Sequence, residues 1–171
     1  LLVPAGIINE YHEPPTFMSV ERPEYNKYII PTTWFDNGFA FYGAMGDFNW
    51  NVTMTGDLDG DDISHSKALR SAREKGHYSM TSSWTKTLQG SFTGVEGLKV
   101  GGSMTMNDAP KDDGTTVGVN LTEFNATYSA NNMYARMEYG MIDYTDGPLN
   151  DDGVALESSS GYYLDLGYDI A

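Results

Sequence analysis

Two short runs in this chain hold residue types able to do chemistry. The first, NEYHEP, gathers Asn9, Glu10, His12, Glu13 and Pro14. Paired carboxylates hydrolyse glycosidic bonds when they flank the sugar from two sides. Glu10 and Glu13 stand too close in an extended segment to do so easily. Carboxylates with an imidazole also make a metal set, here Glu10, His12 and Glu13. A structural role is the third option: an ion-pair and hydrogen-bond network that pins a loop, with Arg22 as a bidentate partner for a glutamate. Pro14, Pro15, Pro23 and Pro31 stiffen the same stretch by fixing φ. The second run, DLDGDD, starts like a calcium loop with Asp57, Asp59, Asp61 and Asp62. An EF-hand needs Gly at the sixth position and Glu at the twelfth; this chain has Asp62 and Ala68 there. That leaves an acidic turn, with Asp57, Asp59 and Asp61 as weak metal candidates. No Ser-His-Asp set, phosphate-binding glycine loop or helical zinc motif is apparent. The expectation is a non-enzymatic protein with no catalytic residue and no cofactor.

Composition narrows the class. The 171 residues fit one domain. With 24 acids against 10 bases the net charge is -14, which argues against a nucleic-acid partner. There are no cysteines, so disulfides and thiolate metal sites are excluded. No apolar run approaches the ~18 residues of a transmembrane helix. Transmembrane β-strands stay open, because they are only half apolar. Leu1 is not a start methionine, LLVPAGIINE reads as part of a strand, and GYYLDLGYDIA stops inside another. Residues 1–171 are therefore expected to be one β-segment truncated at both ends.

The elements that must position these residues read as strands. In FNWNVTMT, Phe48, Trp50, Val52 and Met54 alternate with Asn49, Asn51, Thr53 and Thr55, a period of two. YYLDLGYDI places Tyr162, Leu164, Leu166, Tyr168 and Ile170 opposite Tyr163, Asp165, Gly167 and Asp169. LKVGGSMTM sets Leu98, Val100, Met104 and Met106 against Lys99, Ser103 and Thr105. NMYARMEYGM sets Met133, Ala135, Met137 and Met141 against Tyr134, Arg136 and Glu138. HYSMTSSWTKTL and GFAFYGAM add two more candidates. TVGVNLTEFNATYS switches face between Leu121 and Phe124, which predicts a bulge near Thr122. With the opening strand, about eight strands result. Their connections alternate: long at 11–37 and 57–76, tight near Gly46-Asp47 and Ala130-Asn131-Asn132. Inside 57–76, SKALRSAREKG has a serine start and a glycine stop, which predicts a short helix in the loop.

An antiparallel meander with its long loops at one end is the pattern of an outer-membrane barrel. The polar faces are rich in Asn, Thr and Ser with few lysines, unlike a typical soluble exterior. Trp50, Trp84, Tyr162 and Tyr168 sit near strand ends, as interfacial girdles do. The same alternation also fits a soluble β-sandwich whose apolar faces pack inward.

The blocks GIINEYHEPPTF, VERP and IIPTTW of the first long loop, with GLKVGGS and GYYLDLGYD, resemble the phosphate-selective porin family of proteobacterial outer membranes. The resemblance implies an all-β antiparallel transmembrane barrel of about sixteen strands, of which this chain supplies about eight. It further implies a frequent homotrimer in the bacterial outer membrane, in contact with lipid and lipopolysaccharide. Loops folded into the lumen would narrow the pore, with 11–37 as the constriction loop. Small hydrophilic solutes or ions would pass by diffusion. The anion-selective members rely on rows of basic residues. Here the inward cations are Lys99 and Arg136, with Arg22 in the first loop, against Glu10, Glu13, Glu21, Glu138, Asp165 and Asp169. That balance predicts a cation preference, set by a constriction of Glu10, His12, Glu13, Glu21, Arg22, Lys99, Arg136, Glu138 and Asp165. The alternative class is a soluble β-sandwich module binding carbohydrate or calcium.

Overall fold

A computed structural model describes residues 1–10, 18 and 20–170, with the backbone alone at residues 8 and 10. The fold is all-β. Seven strands form one antiparallel meander in sequence order: β1 (Gly38–Met45), β2 (Phe48–Thr55), β3 (Thr85–Val95), β4 (Leu98–Pro110), β5 (Thr116–Ala130), β6 (Met133–Thr145) and β7 (Ser158–Tyr168). The sheet is open, with β1 and β7 at its edges. Two single-turn helices precede it, α1 (Ile7–Glu10) and α2 (Tyr25–Tyr28).

The connections segregate by end. Gly46-Asp47, Glu96-Gly97 and Asn131-Asn132 make two-residue turns at one end. Asn131 and Asn132 both take positive φ, 53° and 59°. That is the type I′ geometry, whose twist matches paired strands and which Asn tolerates. At the other end lie 56–84, 111–115 and 146–157, together with the segment that leads into β1.

The two faces of the sheet live in different surroundings. One carries Phe41, Val52, Leu88, Met104, Phe124, Met137, Leu164 and Leu166, all exposed, with Trp50 and Met54 beside them half-buried. Across the strands the register joins Phe48, Phe92 and Val100 in one row, and Ala126, Met137 and Leu164 continue it. The opposite face holds Thr53, Thr87, Ser103, Thr105, Asn107, Glu123 and Glu138, all buried. Onto this face fold the segment before β1 and the loop after β2. They deliver Val3, Tyr25, Ile29, Ile30, Trp34, Leu58, Ile63 and Leu69 against Val117, Val119, Leu121 and Ile142. The apolar core thus lies between the sheet and its own loops.

Several expectations need correction. The opening residues form no strand; Leu2 makes an isolated bridge to Phe35, and Val3 N–H donates to Trp34 O. The count is seven strands, not eight. The third strand starts at Thr85, not His77, because Trp84 takes φ of 58° and breaks the extended run. It then continues through Gly90 and Gly94, whose missing side chains erased the sequence pattern. SKALRSAREKG forms no helix. Ala68 and Lys75 take positive φ, and bridges Ser64–Ala68 and Leu58–Arg73 fold the stretch so that Leu69 and Ala72 are buried. Tertiary anchoring overrides the local helix preference. β5 keeps an unbroken register with both neighbours, so there is no bulge at Thr122. The apolar residues change face because the loop core packs on one side of β5 at Val117–Leu121 and stops there.

Candidate functional site

The inner face of β4–β7 carries the charged groups. Arg136 and Asp165 are direct cross-strand partners. Arg136 Nη2 and Nε donate to the same oxygen, Asp165 Oδ2, at 2.5 and 3.1 Å. The guanidinium carbon also lies 5.5 Å from the Tyr163 ring centroid. Opposite charges placed across a strand pair stabilise it.

Glu138, one inward step along β6, is fully buried. Its Oε2 accepts from the Tyr163 hydroxyl at 2.9 Å and from Ile7 N–H at 3.1 Å. Glu123 on β5 is 1% exposed and accepts from Ser103 Oγ at 3.0 Å and Asn125 Nδ2 at 2.6 Å. Tyr25 of α2 stands over this pair of carboxylates. Burial pushes its hydroxyl well above the usual tyrosine range, and the charges of Glu138 and Glu123 add to the shift. The phenol therefore stays neutral. α2 can approach so closely because glycine faces it: a Cβ on Gly140 would meet Tyr25 Oη at 2.5 Å, and one on Gly161 would meet Ile29 at 3.1 Å.

Nearer the tight turns the inner face opens into a cleft of about 720 Å³, lined by Gln89, Ser91, Lys99, Asn125, Thr127 and Arg136 among others. Its strand residues offer hydroxyls, amides and the Lys99 ammonium, while Arg136 is buried in its pair with Asp165, and Ile7, Met18, Val95 and Leu98 add apolar stretches to the lining.

The predicted site residues divide into groups. Lys99, Arg136, Glu138 and Asp165 share the inner face of the sheet, as the alternation requires. Glu21 is exposed and lies 3.6 Å from Lys27 Nζ, which Glu24 holds at 2.5 Å. Arg22 donates to Thr32 Oγ1, so its partner among the described residues is a threonine and not a glutamate. His12, Glu13 and the Glu10 side chain lie outside the described residues. Asp57 is a loop tie: its carboxylate accepts from Ser82 N–H at 2.6 Å and Ser83 N–H at 3.1 Å. Asp59 accepts from Asp61 N–H, and Asp61 from Asp112 N–H. Among the described residues no group of three acidic or histidine side chains could hold a metal ion.

Sequence reasoning missed two features. Glu123 escaped because the supposed bulge put it on the wrong face; strict alternation through Val117, Val119, Leu121 and Glu123 is the signal that finds it. Arg70, Arg73 and Lys75 were assigned to a helix, which hid that they converge with Arg22.

The chain is 33% identical over 120 residues to an uncharacterized protein of Aquifex aeolicus (strain VF5). That match covers 69% of this chain and 28% of the relative, so the chain spans well under half of it. No family model and no solved structure matches. Among the described residues no helix is long and apolar enough to cross a membrane, which leaves crossing by β-strands untouched.

Proposed function

We propose that this chain is part of the wall of an outer-membrane porin, a non-enzymatic channel through which small hydrophilic solutes or ions diffuse. The observation that carries this reading is the inverted sheet. Its apolar face, with Leu164 57% and Leu166 70% exposed, has no cover among the described residues, while its polar face is packed by the chain's own loops. A soluble protein rarely leaves a contiguous apolar patch beyond a few hundred Å². Lipid is a solvent in which that face costs nothing, and closure into a barrel leaves no unpaired edge. β3–β7 run from 11 to 15 residues, long enough for the ~9–11 that a tilted spanning strand needs.

The apolar belt also has a polar border. On the outer face the register links Asn120, Asp143 and Ser158 in one row at the loop end, which continues through Met106 and Lys86 to the apolar Met54 and Phe39. The unpaired edges of β1 and β7 would meet further strands of the barrel, and the relative is long enough to hold them. The described part of the segment before β1 packs on the inner face, where it would narrow the lumen. The family resemblance adds the homotrimer and the outer-membrane location.

The cation preference expected from counting acids weakens on this geometry. Glu123 and Glu138 are covered, and Asp165 is paired with Arg136, so these carboxylates would contribute little to the field in the lumen. Selectivity is then set by what the loops expose.

The test is purification in detergent followed by planar-bilayer recording. Stepwise conductance, with a folded band that shifts on heating in gel electrophoresis, is the expected result. A protein that stays soluble without detergent and forms no channels overturns the reading in favour of a soluble module.

A further inference from the structure

We propose that the first long loop and the loop after β2 together form a binding site for a hydroxylated organic anion, with sugar phosphates as the chemical class. The two loops enclose a cleft of about 530 Å³ whose lining includes Arg22, Asn26, Lys27, Arg70, Arg73 and Lys75. The chain has 10 basic residues in all and a net charge of -14. Half of its cations therefore converge on one cleft, against the charge balance of the whole.

Among the described residues, four of these five cations are not paired with acids. Lys27 is engaged by Glu24 and Glu21. Arg22, Arg70, Arg73 and Lys75 make no ion pair among the described residues. Arg73 Nη1 instead donates to Thr32 O at 2.6 Å and its Nε to Arg70 O at 3.1 Å, while Arg22 donates to the hydroxyl of the same Thr32. Both guanidiniums are thus fixed in place around one residue, with donors to spare, since each carries five N–H groups. Burial, with the charges of Arg70 and Arg22, lowers the Arg73 guanidinium to about 10. An anion among them would relieve that repulsion.

Two other observations point to an occupant. Asn26 lines the cleft at 1% exposure, and neither its amide nitrogen nor its oxygen has a hydrogen-bond partner among the described residues. Buried polar groups left unpaired are rare and costly, so a built structure seldom keeps one without use. Beside it Thr33 takes φ of 61°, a region that β-branched residues avoid and that clusters at ligand sites.

The chemistry of the ligand follows from the lining. Several arginines lining one cleft suit phosphate or carboxylate oxygens. Asn26 offers a donor and an acceptor together, which a hydroxyl satisfies and a bare oxyanion does not. The volume falls within the ~300–1,000 Å³ of small-molecule sites and exceeds what one tetrahedral oxyanion fills. The site stands on the loops alone and does not depend on the pore reading.

The experiment is calorimetric titration of the folded protein, in whatever detergent or buffer keeps it folded, with glucose 6-phosphate, gluconate and inorganic phosphate as probes. Saturable binding of glucose 6-phosphate is expected, at least tenfold tighter than inorganic phosphate. Arg70→Gln and Lys75→Gln change exposed side chains, so thermal unfolding should match the parent while each weakens glucose 6-phosphate about tenfold. Gluconate binding as well as glucose 6-phosphate supports the hydroxylated-anion assignment, since the charge then comes from either oxyanion. Inorganic phosphate binding as tightly as glucose 6-phosphate overturns the organic part of the assignment. Absence of binding by all three probes, or equal binding by parent and both variants, overturns the site.

Discussion

The outer and inner faces of the sheet are built from alternate residues of the same strands, yet they follow opposite rules. On the outer face Phe124, Met137, Leu164 and Leu166 stand exposed; on the inner face Thr87, Thr105 and Glu138 are buried. An ordinary one-sided antiparallel sheet does the reverse, apolar toward the core and polar toward water. The difference is not uniform along a strand. β5 carries Val117, Val119 and Leu121 inward at the loop end, then Glu123, Asn125 and Thr127 toward the turns. Its outward residues run the other way, from Asn120 and Thr122 to Phe124, Ala126 and Tyr128. The strand therefore passes between two environments. At the loop end the protein supplies its own core on the inner face, and the outer face is polar. At the turn end the inner face lines an open cleft, and the outer face is apolar. A single strand that exchanges the character of its two faces midway fits a wall that rises out of a bilayer.

The inner face should be broken most severely at its buried ion pair. Arg136→Ala strands Asp165 opposite an empty position and should cost about 3 kcal/mol of unfolding free energy, as unpaired buried charges do. Replacing both partners with leucine should recover most of that loss, measured by denaturant titration in the same detergent. A single variant as stable as the parent would show that the pair is too wet to matter. The outer face gives the contrasting result. On the membrane reading Leu164→Arg should cost about 2–4 kcal/mol near the bilayer midplane. In a water-soluble sheet the same change at a 57% exposed position would be close to neutral. Folding efficiency into liposomes separates the two cases.

Packing of the loops onto the inner face is the next contrast. Gly140→Ala places a methyl 2.5 Å from Tyr25 Oη and 3.1 Å from Ile29 Cγ2. Overpacking of this kind costs about 1–3 kcal/mol. Because Tyr25 sits at the end of a short helix, part of the strain should be relieved by α2 lifting from the sheet. Increased protease cleavage near Lys27 would report that movement. Gly114→Ala, in an outer turn with open space around it, should disturb nothing but its own positive φ of 83°.

Much of this was legible in the sequence, and the failures have one cause. The period of two in FNWNVTMT, NMYARMEYGM and YYLDLGYDI returned β2, β6 and β7 with the right residues on each face. Arg136 and Asp165 were placed inward by that alternation, although their cross-strand pairing needed the register. What was lost is what tertiary contacts decide. Residues 66–76 have helix formers, but Leu69 and Ala72 serve as anchors for the loop core and the backbone bends to seat them. Trp84 reads as a strand residue and instead takes a left-handed conformation, ringed by Phe39 at 5.7 Å. Glu123 was hidden by an apolar pattern that changes face without a bulge. The basic cleft needs two loops far apart in sequence, so no local pattern reveals it.

The smallest contrast lies within the loops, where two carboxylates are shifted in opposite directions. Burial raises the Glu74 carboxyl above its ordinary value, and Asp59, Asp62 and Asp36 reinforce the shift. Hydrogen bonds from the Thr115 hydroxyl and N–H lower that of Asp113. The consequences for stability have opposite signs. A raised carboxyl makes ionised Glu74 a burden on the folded state above its folded pKa, and the burden vanishes as pH falls below the unfolded value. A lowered carboxyl makes Asp113 a support above its unfolded pKa, lost as pH falls through the folded one. Glu74→Gln should therefore raise the denaturation midpoint at pH 7, through a gain of less than about 1 kcal/mol in unfolding free energy for a partly exposed charge, and leave it nearly unchanged at pH 4 or below. Asp113→Asn should lower the midpoint at pH 7, and the deficit should shrink in acid. Matched titrations of the two variants at both pH values give the check. If both variants move the midpoint the same way at pH 7, a shared effect of removing negative charge from an acidic protein dominates, and the local geometry of the two loops does not.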